Sequence, residues 1–232
     1  MLKQYGHFPG ALKTFSLALV LFLSLTSGLI LADQRKLVIL HTNDFHGHIS
    51  QEGEYAGAAR ITALVKQTRE KNPGVLVLDA GDRISGTPVS TMFNGVPIFE
   101  VLNNVGYDAA AVGNHEFDHG YKQFLEFKKI ANHPLLSANA FAPDGSLLAD
   151  APALIKTVNG IKIGIIGLIT EHTPHMIIPA GNEGISFSPA SDALKGMVKA
   201  LRPEVDLLVV LSHVGHDEEK ELAQSIDGID II

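Results

Sequence analysis

Four short apolar runs in this chain each end abruptly in a cluster of polar, ligand-type residues. LVIL leads into His41-Thr42-Asn43-Asp44-Phe45-His46, VLVLDA into Gly81-Asp82, AAAV into Gly113-Asn114-His115, and LLVVL into Ser212-His213. Apolar runs of this length suit buried strands. Stretches with helical spacing lie between them. In GAARITALVKQTREKN, Ile61, Leu64 and Val65 recur at helical intervals and Pro73 ends the pattern. VPIFEVLNNVG starts a helix at Pro97 and closes on Gly106, and YKQFLEFKKIANHP stops at Pro134. Strands alternating with helices predict parallel βαβ units. Parallel strands would carry all four polar clusters to one sheet edge, where open α/β folds bind ligands.

The second half has a different rhythm. PLLSANAF predicts one more strand of the first series. PALIKTV and IKIGIIGLIT, joined by Asn159-Gly160, predict a hairpin. SPASDALKGMVKALRPE then reads as a helix, VDLLVVLSHVG as a strand, and DEEKELAQSI as a short helix whose leading acids suit the helix dipole. GIDII starts a further buried strand, and there the sequence stops. Natural termini more often trail off in polar residues, so the expectation is a chain cut short. There is no internal repeat, low-complexity segment or linker. The 232 residues, 46% hydrophobic, are enough for one α/β domain with a sizeable core.

Residues 1–32 stand outside that domain. Lys3 and Lys13 precede the apolar run FSLALVLFLSLTSGLILA, which reads as a secretory signal peptide cleaved near Ala32. An uncleaved anchor is the alternative, since the run nears spanning length. Either way residues 33–232 are exported, to the periplasm, the cell surface or the medium. The formal charge of −7 excludes a nucleic-acid-coating surface but leaves a phosphate substrate open, because metal ions supply local positive charge. With no cysteine, the exported chain has no disulfide, thiolate zinc site or cysteine nucleophile.

The clustered residues have a chemistry in common. Asp44, His46, Asp82, Asn114 and His213 offer carboxylate, imidazole and amide oxygen. That mixture suits Zn²⁺, Mn²⁺ or Fe²⁺ better than Ca²⁺. Five ligands exceed the needs of one zinc and suit two ions with Asp82 between them, a common device for in-line attack on phosphorus. Gly81 and Gly113 would let the backbone turn just before Asp82 and Asn114. A competing pattern overlaps the third cluster: His115-Glu116-Phe117-Asp118-His119 spells H-E-x-x-H, the zinc motif of metalloproteases. That motif needs both histidines on one helix face. Here Val112-Gly113-Asn114 precedes it and Gly120 follows, both poor helix interiors.

LHTNDFHGHI, LDAGDRISGTPVS, VGNHEFDHG and LSHVGHDEE, in that order, resemble the successive motifs of the calcineurin-like metallophosphoesterases, and most closely their exported 5′-nucleotidase branch. PLLSANAF and GAARI are also similar to that branch, and the resemblance covers residues 36–232. It implies a layered α/β/β/α sandwich with mostly parallel strands and a metal site at their C-terminal ends. It implies two divalent ions, with zinc, manganese, magnesium and cobalt all open. Asp44 and His46 would hold the first, Asp82 would bridge, and Asn114 and His213 would hold the second. His115 would face the phosphate as a catalytic residue, oriented by Asp118. The substrate would be a small nucleotide: a 5′-monophosphate, a 2′,3′-cyclic nucleotide or a UDP-sugar. The family's further Gly-His-x-His-like motif and its nucleoside-gripping C-terminal domain do not occur in these residues, so weakened metal binding and little activity are expected of this chain alone. An exported relative that binds metal or nucleotide without turnover is the alternative.

The remaining polar residues have plainer readings. His41 reads as a packed, hydrogen-bonded histidine; His119 as a surface or substrate-rim residue; His133, His172 and His175 as solvated loop positions. His48 and His216 are weaker candidates for touching substrate. Arg60 and Arg83 read as surface salt bridges sooner than phosphate contacts. Asn139 either supports the site or closes its strand.

Overall fold

A computed structural model describes residues 34–182 and 184–232. The signal-peptide reading of residues 1–32 lies outside these. The first series of strands forms one parallel sheet in chain order: β1 (Val38–Thr42), β2 (Val75–Asp79), β3 (Ala109–Ala111) and β4 (Leu135–Leu136). The connections carry α1 (Gly57–Lys71), α2 (Pro88–Met92), α3 (Val96–Leu102) and α4 (Tyr121–Ile130). PLLSANAF does not continue as one strand. After β4 the chain leaves the sheet, and Ala140–Phe141 (β5) pairs elsewhere.

Asn159 and Gly160 both take positive φ, 48° and 74°, in the turn of the hairpin between β6 (Ala153–Val158) and β7 (Ile161–Ile169). Both central residues of a type I′ turn need that conformation. Ser186–Phe187 (β8) pairs antiparallel with β5, and β9 (Leu207–His213) lies parallel to β7. Helices α5 (Ala190–Leu201) and α6 (His216–Ser225) flank β9 in sequence. The final run does pair as a strand would: Val210 N–H donates to the Ile231 carbonyl at 2.8 Å beside β9.

Period-two alternation divides the apolar residues among three layers. Leu76, Leu78, Ala109 and Ala111 face Ile163, Ile165, Val209 and Leu211 across the two sheets. The opposite face of the first sheet, with Val77 and Ala110, packs on Val65, Ile98, Phe99, Phe124 and Phe127 of α1, α3 and α4. The opposite face of the second, with Ile166, Leu208 and Val210, packs on Leu194, Val198 and Leu222 of α5 and α6. This is the expected α/β/β/α sandwich. Among the described residues no helix is long and apolar enough to cross a membrane.

His133 corrects the sequence reading. It is not a solvated loop residue but is 6% exposed, edge-on to Tyr107 with ring centroids 5.4 Å apart. Burial, reinforced by the positive charge of Arg83, pushes its pKa down to about 3. An unfolded histidine takes up a proton near pH 6.5, whereas the folded one resists until about 3. Stability from this group is therefore present above pH 6.5 and lost as the pH falls toward 3. The linkage amounts to about 2–3 kcal/mol by pH 4.5. Between pH 7 and 4.5, His133→Gln is expected to lose clearly less melting temperature than the parent. Equal losses would contradict the buried, neutral state.

Candidate metal centre

The loops after β1, β2 and β3 run on together past the ends of their strands. Asp44, His46 and Gly47 donate their backbone N–H groups to the carbonyls of Gly81, Asp82 and Arg83 at 3.1, 3.1 and 2.8 Å. Asp44, His46 and Asp82 all have positive φ (51°, 46° and 56°), which non-glycine residues adopt only where the surroundings impose it. Gly81 has φ 106°, and a Cβ there would sit 2.7 Å from the Gly113 nitrogen. A Cβ on Gly113 would sit 2.2 Å from Asp82 Oδ1. Gly81 makes the expected turn. Gly113 matters for close approach instead: with no side chain there, the β3 loop lies directly against Asp82.

Asp82 is the point of convergence and is 4% exposed. Its Oδ1 accepts the His115 N–H at 2.9 Å. Its Oδ2 lies 3.2 Å from His213 Nε2 and 3.9 Å from His115 Nε2. Asn114 Oδ1 is 3.2 Å from the same His213 nitrogen, and Asp44 Oδ1 is 3.7 Å from His46 Nε2. Two donor triplets result, His46–Asp82–His115 and Asp44–Asp82–His213, each with donor atoms within 4.8 Å of one another. Asp82 belongs to both. All seven residues singled out from the sequence gather here. The triplets group Asp44 with His213, and His46 with His115, where the sequence reading paired Asp44 with His46.

The donors fit divalent metal. His46 and His213 each turn Nδ1 to a backbone carbonyl, of Ile84 at 3.2 Å and Ala80 at 2.9 Å. Those bonds fix Nδ1 as the donor and leave the Nε2 lone pairs for an ion. Burial opposes charge on His213, yet its hydrogen bond to Asp82 and that carboxylate's charge push its pKa up to about 9. Burial likewise opposes ionisation of Asp82, but the His213 hydrogen bond and charge outweigh it and hold Asp82 below the usual carboxylate range. The pair thus shares a proton where a cation would serve both groups. His115 differs: its Nδ1 is 2.7 Å from Asp118 Oδ2. That hydrogen bond raises its pKa against the opposing effect of burial. Ser85 Oγ donates to the same carboxylate oxygen, a partner the sequence reading missed.

Beneath the loops lies a buried ionic cluster that was not foreseen. Arg83 is neither a surface residue nor a phosphate contact; it is fully buried, with Nη2 2.8 Å from Asp79 Oδ1 and Nη1 3.8 Å from Glu116 Oε1. Glu116, also fully buried, accepts the N–H groups of Gly113, Arg83 and Asp82 at 2.7, 2.8 and 3.0 Å. This decides against the H-E-x-x-H reading. His115–Phe117 is a 3₁₀ turn, α4 begins only at Tyr121, and a glutamate whose oxygens face inward to three amides cannot activate water.

The other candidates divide. Asn139 closes its strand: fully buried, it bonds the Ile169 N–H and carbonyl through its amide. His41 is exposed instead of packed, lining a cleft of about 510 Å³ with Ile39, Leu78 and Val209. His48 stacks on Tyr55 with ring centroids 3.5 Å apart. His119 is half-buried, not a surface residue. His172, His175, His216 and Arg60 are exposed.

Residues 37–232 match the family model described as calcineurin-like phosphoesterase. The chain is 35% identical to the 5′-nucleotidase of Bos taurus, across 97% of this chain and 41% of that protein. It is 38% identical to the 5′-nucleotidase of Vibrio cholerae, across 80% of this chain and 35% of that protein. The solved structure of Haemophilus influenzae NAD nucleotidase superposes with a TM-score of 0.76 at 32% identity, covering 84% of this chain and 37% of that one. The chain therefore spans about two-fifths or less of the length of these relatives.

Proposed function

The chain belongs to the calcineurin-like phosphoesterase family of metal-dependent hydrolases, and from that premise we propose that it hydrolyses nucleotide phosphate esters at two divalent ions bridged by Asp82. The observation that carries the reading is the position of Asp82, shared by two triplets of metal-type donors. Asp44 and His46, with Oδ1 and Nε2 3.7 Å apart, would hold one ion, and Asn114 and His213, with Oδ1 and Nε2 3.2 Å apart, would hold the other. When bound, the ions supply Lewis acidity toward the phosphoryl oxygens and lower the pKa of attacking water.

His115 stays out of the ligand set. A backbone carbonyl accepts from Nδ1 of His46 and of His213 and leaves each Nε2 facing the ion sites, whereas the Asp118 carboxylate behind His115 favours its protonated ring. From that state His115 Nε2 stabilises negative charge on the phosphoryl group and passes a proton to the leaving oxygen as the P–O bond breaks. Asp118 holds the ring in register, and Ser85 holds Asp118.

The substrate class follows from relatives that are nucleotidases, one of them named for NAD. Residues 1–32 serve as the export signal and residues 33–232 as the catalytic domain, which places the activity in the periplasm, at the cell surface or outside the cell. The test is phosphate release from 5′-AMP, with 2′,3′-cyclic AMP alongside, by the product of the whole reading frame. Release that needs added Mn²⁺ or Zn²⁺ and stops with chelator is expected. Metal binding with no release from either nucleotide would turn the reading to a non-catalytic binding protein.

A further inference from the structure

Asp82 and Asn114 stand on loops from different strands, and ligands on separate loops serve a metal only if something fixes their spacing. Glu116 is the group that meets both. Its Oε2 accepts the Asp82 N–H at 3.0 Å and the Gly113 N–H, one residue before Asn114, at 2.7 Å. Its Oε1 accepts the Arg83 N–H at 2.8 Å. The clamp closes from the other side as well, since Asp82 Oδ1 accepts the His115 N–H at 2.9 Å. Arg83 extends it to the end of β1 through Asp79, which accepts from Thr42 Oγ1 at 2.6 Å and from the Gly81 N–H at 3.1 Å. A carboxylate so placed can touch neither substrate nor ion; it sets where the ligands stand.

Resting on the two-ion reading above, we infer that Glu116 is the positioning residue of the centre: one buried carboxylate that fixes the spacing of Asp82 and Asn114, and hence the affinity for metal. The isosteric Glu116→Gln keeps the volume. However it rotates, an NH₂ group replaces one acceptor and faces an N–H donor, so the clamp cannot close on both loops.

The test is titration of the purified chain with Mn²⁺ or Zn²⁺ alone, at a temperature where circular dichroism shows every variant folded. Glu116→Gln is expected to weaken binding roughly 10–100-fold, the range for loss of an outer-shell partner. Leu194→Ala, which empties part of the core under α5, is the comparator for lost stability. It is expected to bind metal as the parent does. Parent-like affinity in Glu116→Gln, or an equal loss in Leu194→Ala, would overturn the positioning role. Should Glu116→Gln not fold, Glu116→Asp keeps the charge but is too short to span both loops, and the same loss is expected. Failure of both to fold would also overturn the claim, since Glu116 would then hold the fold and not the ligands. A parent chain that binds no metal would instead count against the two-ion reading itself.

Discussion

His115→Ala, in the product of the whole reading frame, is expected to lower phosphate release about 10²–10⁴-fold, the range for a group that both donates a proton and stabilises transition-state charge. Metal content is expected to stay at the parent level. The separation of the two effects follows from the geometry. His115 Nδ1 is committed to Asp118, and His115 leans on His46 edge-on, with ring centroids 5.0 Å apart, without replacing it. The one observation that pulls the other way is the His46–Asp82–His115 triplet, which would permit His115 to be a ligand. Metal analysis beside the rate measurement decides between them. Loss of an ion together with activity would move His115 into the ligand set.

Asp82→Ala is expected to lose both ions, and turnover with them. Asp82 lies in each donor triplet, and its carboxylate is nearly buried between His213 and His115. No other carboxylate in either triplet is shared, so nothing takes its place. The fall in affinity should exceed the roughly 10–100-fold that loss of an outer-shell partner costs. Elemental analysis after dialysis against micromolar metal reads the result. A variant that keeps both ions would end the bridging role.

The residues that meet at the centre were legible because their signal is local. An apolar run that stops at an Asp, Asn or His is visible in one line of sequence, and parallel pairing does the gathering. The hairpin at Asn159-Gly160 was equally plain, since few dipeptides tolerate two consecutive positive φ values. What supports the centre was not legible. Arg83 and Glu116 are charged, and charged residues default to the surface. Only the three-dimensional approach of the β2 and β3 loops shows that each buries the other. His133 was misread for the same reason: its burial depends on Tyr107, distant in sequence. His41 failed in the reverse sense. Its place inside the strand end suggested packing, but the face it shares with Ile39 borders an open cleft. Where PLLSANAF divides, the Asn139 side chain bonds the Ile169 N–H and carbonyl, a contact 30 residues away that no local pattern signals. The short helix α2 lacks the length for periodicity, although Thr87 at its N-cap and Pro88 behind it were available as signals.

The most direct measurement is anomalous diffraction from crystals of the chain grown with Mn²⁺. Two peaks ~3.5–4 Å apart, the usual spacing of paired catalytic ions, should flank the Asp82 carboxylate, one beside Asp44 and His46 and the other beside Asn114 and His213. A single ion held by His115 and His119, or density that avoids Asp82, would contradict the two-ion centre.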